Sequence, residues 1–232
     1  PEATGTQFTI NYKQKKTETV TIADFRRDIC YSLFTGMLNA RISEIGEQKT
    51  APFKYGYSYY GDYWSRTCAS FSNYYGCKEG KGLETFELAL TELQRLKQHG
   101  FLQTELNRAK IELLSQYEKQ AKEESKKDSR RFANQYGGNF LEHTPIVSDK
   151  EYYNVASQLL DGISLEEVNN LIQQWISDKN ITLNYTQPKK DGLSVPTESD
   201  FLQLFEKVKN TQTTAYVDEI SNLPFLAKEP IA

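Results

Sequence analysis

Two histidines, His99 and His143, and three cysteines, Cys30, Cys68 and Cys77, are the side chains of this 232-residue chain best suited to hold a transition metal. Metal-assisted hydrolysis from one helix needs a pattern such as His-x-x-Glu-His, which brings two imidazoles and a general-base carboxylate onto a single ion. No such triplet occurs. The nearest approach is Asn139-Phe140-Leu141-Glu142-His143, which keeps the Glu-His ending but puts an amide, a poor zinc donor, where the first ligand belongs. Gly137-Gly138 before it and Pro145 after it predict a segment too short for a metal-binding helix. Serine or cysteine nucleophiles lack a placed histidine to activate them. Glu123 and Glu124 are neighbours on a helix pattern and so point apart, which does not suit an acid/base pair. No residue is assigned a catalytic or metal-binding role.

A binding surface can be argued at one place, the tract Tyr55-Gly56-Tyr57-Ser58-Tyr59-Tyr60-Gly61-Asp62-Tyr63-Trp64. Strand alternation puts Tyr55, Tyr57 and Tyr59 on one face, and with Tyr63 they offer flat amphipathic rings for peptide or sugar contact. The other reading packs this sheet under helices, with only the hydroxyls reaching an edge. Among the cysteines, the odd count argues against a disulfide framework, although Cys68 and Cys77 flank a strand-like segment closely enough for a local bridge to be considered. Small buried thiols are the favoured reading.

Periodicity outlines the elements that would carry these residues. Residues 6–12 and 18–22 read as short strands joined by a lysine turn. A helix follows from Ala23 or Asp24, with Phe25, Ile29, Leu33, Met37 and Leu38 on its apolar stripe and Gly46 beyond its end. Residues 53–60 and 65–75 read as an antiparallel pair turning at Gly61-Asp62. Next comes a helix over 83–98 stopped by Gly100 in a left-handed conformation. A longer helix, capped by Thr104 and reaching about Lys126, then buries Leu106, Ala109, Leu113, Leu114 and Tyr117. Ser148 and Ser164 open two further helices as capping boxes, 181–185 is a strand, 192–196 a linker and 197–208 a last helix. This order predicts an α+β fold, an antiparallel sheet covered on one face by helices.

The formal charge of -3 gives no ground for nucleic-acid binding, and the basic clusters Lys13-Lys15-Lys16 and Lys126-Lys127-Arg130-Arg131 are offset by Glu123, Glu124 and Asp128. No apolar run approaches a membrane span, and no secretion signal opens the chain. Beginning at Pro1-Glu2-Ala3 without an initiator Met, the sequence reads as a piece of a longer one.

Several stretches carry a resemblance. The segment Gly100-Phe101-Leu102-Gln103-Thr104-Glu105-Leu106-Asn107-Arg108-Ala109-Lys110 resembles the helix-turn-helix signature of the pitrilysin/insulinase family of zinc metallopeptidases. Residues 33–44 are similar to that family's Leu-rich helix ending in Asn-x-Arg-Leu-x-Glu, here with Asn39, Arg41, Ile42 and Glu44. Pro52-Phe53, Glu79-Gly80, Glu92-Leu93-x-Arg95, the run Ile163-Ser164-Leu165-Glu166-Glu167-Val168-Asn169, Trp175 and Val195-Pro196-Thr197-Glu198 follow in the family's order. The resemblance spans residues 6–208 and is to the second domain, although that domain's opening strands and helix have no counterpart before Thr6.

It implies the LuxS/pitrilysin-like metalloprotease fold, with a pitrilysin-like non-catalytic α+β domain over 1–190 and, over 191–232, a linker, short helix and irregular tail leading to the next domain. Family members close two bowl-like halves around a chamber in which a zinc site in the first domain cuts peptides. The implied function is a non-catalytic, chamber-forming domain of a periplasmic or cell-envelope zinc metalloendopeptidase. Its partners would be other domains of the same polypeptide and the peptide substrate, with no nucleic acid and no membrane. No cofactor is expected in this chain itself, and zinc is expected in the parent's catalytic domain. The alternative is a peptide-binding or assembly module that keeps the fold without proteolysis.

Overall fold

The computed structural model describes residues 3–126 and 128–218. Lys127 of the second basic cluster and the tail over 219–232 lie outside the described residues. Four strands, β1 (Gln7–Lys15), β2 (Phe53–Ser65), β3 (Cys68–Cys77) and β4 (Ile181–Thr186), form one sheet in the order β2-β3-β1-β4, every neighbouring pair antiparallel. The helices are α1 (Ile22–Glu47), α2 (Gly82–His99), α3 (Gln103–Lys122), α4 (Ser129–Glu142), α5 (Asp149–Leu160), α6 (Leu165–Trp175) and α7 (Glu198–Lys209). The α+β class expected from the sequence is the observed one.

Alternation along the strands makes the core. Phe8, Ile10 and Tyr12 of β1 and Phe71 and Tyr75 of β3 are buried on one face. Against them pack Ile29, Leu33, Phe34 and Met37 of α1 and Phe86 and Leu90 of α2, the apolar stripes of two amphipathic helices. Trp175, at the end of α6, is almost fully buried and stacks on Phe71 (5.1 Å) and Tyr60 (4.6 Å). The N-caps of α5, α6 and α7 fall on Ser148, Ser164 and Thr197, whose side chains accept from the third residue on. Helix α7 then buries Phe201 and Val208, with Phe201 edge-on to Phe86 of α2 (5.1 Å).

The structure corrects several expectations. No strand forms over 18–22: Asp24 accepts from the backbone N–H groups of Val20 and Thr21, and the Thr21 side chain caps α1, so these β-branched residues serve a helix start. Gly46 does not stop α1 but lies within its last turn, where a side chain would come 3.2 Å from the Phe53 ring. The hairpin does not turn at Gly61-Asp62. Those residues pair with Ser70 and Ala69, the register slips between Asp62 and Ser65, and the turn falls at Arg66-Thr67.

Thr104 does not cap α3. The Leu102 N–H donates instead to the Glu105 carboxylate (2.7 Å), and the Thr104 hydroxyl is bonded to Asp218. The stretch around Gly137-Gly138 is not too short to be helical, because Asp128 caps a 14-residue helix, α4, by accepting from the Arg131 N–H. Cys68 and Cys77 stand at opposite ends of β3, about 30 Å apart at the rise of a strand. A bridge needs Cα atoms within about 7 Å, so the two do not pair, and all three thiols are free.

Candidate functional site

Strand β2 presents Tyr55, Tyr57 and Tyr59 on the sheet face turned away from the helices, 50%, 44% and 42% exposed. The reading that packs them under helices is therefore overturned; the tyrosines on the helix side are Tyr12, Tyr60 and Tyr75. Cross-strand partners hold the exposed rings in place. Tyr55 lies opposite Gly76, so its ring can settle on the bare backbone and stack on Tyr74 (5.9 Å, 17° between planes). Tyr57 lies 5.3 Å from Tyr74 and 6.1 Å from Tyr59.

Tyr63 lies within the register slip and is partly buried, its hydroxyl 3.1 Å from Thr182 Oγ1 on the far strand β4. Nearby, the Ser70 and Ser72 hydroxyls are 2.7 Å apart, Ser72 donates to Asn11 Oδ1 (2.9 Å), and Asn11 Nδ2 donates to Thr182 Oγ1 (3.4 Å). These polar groups are buried yet satisfied by one another. Burial, helped by a hydrogen bond with Tyr55, pushes the Tyr74 hydroxyl up to about 12. The tyrosines offer flat rings and hydroxyls, a chemistry suited to peptide groups and apolar side chains.

The two histidines are engaged elsewhere. His143 is the C-cap of α4 with a left-handed backbone (φ 57°), so its ring leaves the helix rather than lining up with Asn139 one turn back. The Asn139 amide donates to the Thr144 carbonyl (2.9 Å), as an end-of-helix cap does. His99 Nε2 is 2.7 Å from the Thr213 carbonyl and helps fasten residues 211–218 across α2. Among the described residues, no group of three His, Cys, Asp or Glu side chains is placed to share an ion. The described side chains assemble no zinc site.

Three of the segments that carry the family resemblance, 33–44, 100–110 and 163–169, meet at one buried knot. Gly100 ends α2 with φ 69° and ψ -167°, a conformation essentially restricted to glycine. Its carbonyl accepts from Arg41 Nη2 (3.1 Å), and Arg41 also grips both Glu105 oxygens at 2.7 Å. Both charged side chains are almost wholly buried. The guanidinium lies between the Phe101 ring (5.0 Å) and the Tyr216 ring (4.3 Å). Asn169 Oδ1 accepts from the Phe101 N–H (2.9 Å), tying α6 to the turn, and Asn39 clamps the Ser58 backbone of β2 at both its N–H (2.7 Å) and carbonyl (3.0 Å). Nothing in the sequence alone pairs Arg41 with Glu105; an arginine interrupting the Leu33, Met37, Leu38, Ile42 stripe was the one available signal.

Comparison with known proteins agrees with this fold. No family model matches the chain. A curated zinc protease PQQL-like from Arabidopsis thaliana is 21% identical over 188 residues, covering 81% of this chain and 17% of that protein. The crystal structure of the periplasmic protease PqqL from Escherichia coli superposes with a TM-score of 0.85 at 17% identity, over 97% of this chain and 25% of that one. A predicted insulinase family protease from Yersinia pestis gives 0.73 at 14% identity, over 89% of this chain and 44% of that one. A peptidase M16 inactive domain from Pseudomonas fluorescens gives 0.55 at 17% identity, over 80% and 42%. The chain thus spans about a sixth of the curated relative and a quarter of PqqL. Motif order, the curated zinc protease and the superpositions agree that this chain has the fold of pitrilysin/insulinase-type proteases.

Proposed function

We propose that this chain is a non-catalytic, chamber-forming domain of a zinc metalloendopeptidase, and that Tyr55, Tyr57, Tyr59 and Tyr63 contact the peptide substrate. The observation that carries the reading is the open tyrosine face, set on a fold that 97% of this chain shares with a quarter of a periplasmic protease. Rings fixed by stacking lose little freedom when a peptide lies across them, and the neutral hydroxyls can donate to its carbonyls. Zinc, when bound, supplies the Lewis acid and activated water of hydrolysis, and it would be held by another domain of the same polypeptide. By the same likeness the parent would act in the periplasm or cell envelope. Among the described residues, no helix is long and apolar enough to cross a membrane.

The test is kinetic. In the full-length polypeptide, Tyr55→Ser, Tyr57→Ser and Tyr59→Ser together should raise KM for a peptide substrate about tenfold, the scale of 1.4 kcal/mol of lost binding, with kcat unchanged. A variant with unaltered KM, or with kcat lost and KM kept, contradicts the assignment.

A further inference from the structure

One end of the molecule carries large apolar side chains that the described residues leave exposed. Trp64, at the tip of the β2–β3 hairpin, is 92% exposed, and Phe140 and Leu141, in the last turn of α4, are 83% and 50% exposed. Lys16 brings these two segments together: its ammonium lies 2.8 Å from Asp62 on the hairpin and 3.0 Å from Glu142 on α4. The tip is also built rather than slack. Trp64 has φ 55°, a left-handed backbone that bulky residues adopt only when their surroundings impose it. The register slip between Asp62 and Ser65 and the Lys16 N–H bond to the Thr67 carbonyl (3.1 Å) impose it here, and they hold the indole outward. Helix α4 contributes no buried residue to the core, and its last turn leaves Phe140 and Leu141 exposed.

We propose that this end, with Trp64 and Phe140 as anchors, is the surface on which another domain of the same polypeptide docks. The inference rests on the reading of the chain as one domain of a larger peptidase. The stretch matched here is 17% of the curated relative, so a polypeptide of that kind carries further domains to which this end is open. A lipid surface fits less well, because the cluster that joins the two segments sets one cation against two carboxylates, whereas anionic headgroups favour a net basic patch. Buried Trp and Phe are the side chains that anchor protein interfaces.

The experiment places a photo-crosslinking amino acid at position 64 or 140 of the full-length polypeptide, with position 111, where Ile111 is 72% exposed on α3, as control. The expected result is an intramolecular link from 64 and 140 to a segment outside residues 1–232, and none from 111. Links only between two copies, only to lipid, or at none of the positions overturn the proposal. Zinc and peptidase activity are measured on the same sample: a polypeptide that keeps both yet gives no internal link refutes the docking surface alone. One that lacks both refutes the peptidase reading, and the link is scored regardless.

Discussion

Replacing Gly100 by Ala loads two separate penalties onto the turn between α2 and α3. The backbone there has φ 69° and ψ -167°, and holding a residue with a Cβ in that region costs about 1–3 kcal/mol. The new methyl would also sit 2.9 Å from Asn169 Nδ2, so Asn169 must shift and strain its bond to the Phe101 N–H, a further loss of about 0.5–1.5 kcal/mol. Together these predict a destabilisation of about 2–4 kcal/mol, or a fall in melting temperature of about 5–15 °C for a chain of this size. Gly137→Ala is the control: Gly137 lies inside α4 with open space around its Cβ position, so the better helix former should stabilise by about 1 kcal/mol. Differential scanning calorimetry of both variants reads the contrast directly. Adding Asn169→Ala to Gly100→Ala should remove the collision but leave the backbone strain, so the double variant stays below Asn169→Ala alone. An unchanged midpoint for Gly100→Ala would refute the argument from backbone geometry.

Two further outcomes follow from buried and paired charges. Arg41→Met leaves the Glu105 carboxylate buried without its partner and should cost about 3–5 kcal/mol in urea unfolding, whereas Arg41→Met with Glu105→Leu should recover most of that loss; equal losses in both would contradict it. Hydrogen bonds from Arg26 hold the Glu167 carboxyl below its usual range, so the pair stabilises the fold above the unfolded carboxyl value of about 4.3 and loses that contribution as pH falls through the lower folded value. Glu167→Gln should therefore flatten the acid limb of the stability–pH curve, and an acid limb identical to that of the unaltered chain would count against the pairing.

Where the sequence signals were local, they could be read. The apolar stripes of α1, α2 and α3 and the caps Ser148 and Ser164 are properties of a few consecutive residues, and the structure places them as read. Where a tertiary partner decides, the local signal misled. Gly61-Asp62 looks like a turn, yet pairing with Ser70 and Ala69 carries β2 onward to Ser65. At Gly137-Gly138 the miss was local instead: the pair looks like a break, yet Asp128 caps a helix that runs through it.

The tyrosine alternation was legible, but the face it chose was not, because Tyr60 and Tyr75 present the same residue type to the opposite side and only packing against Trp175 and Phe53 distinguishes them. Arg41 and Glu105 are 64 positions apart, beyond the reach of any periodicity.

The account stands most directly on zinc stoichiometry, because its central claim is that no side chain of this domain holds the metal of its parent. Metal analysis after dialysis of the full-length polypeptide carrying His143→Ala should return the same zinc per folded molecule as the unaltered polypeptide, as expected of a residue whose backbone ends α4. Near-stoichiometric loss of zinc in that variant would contradict the claim.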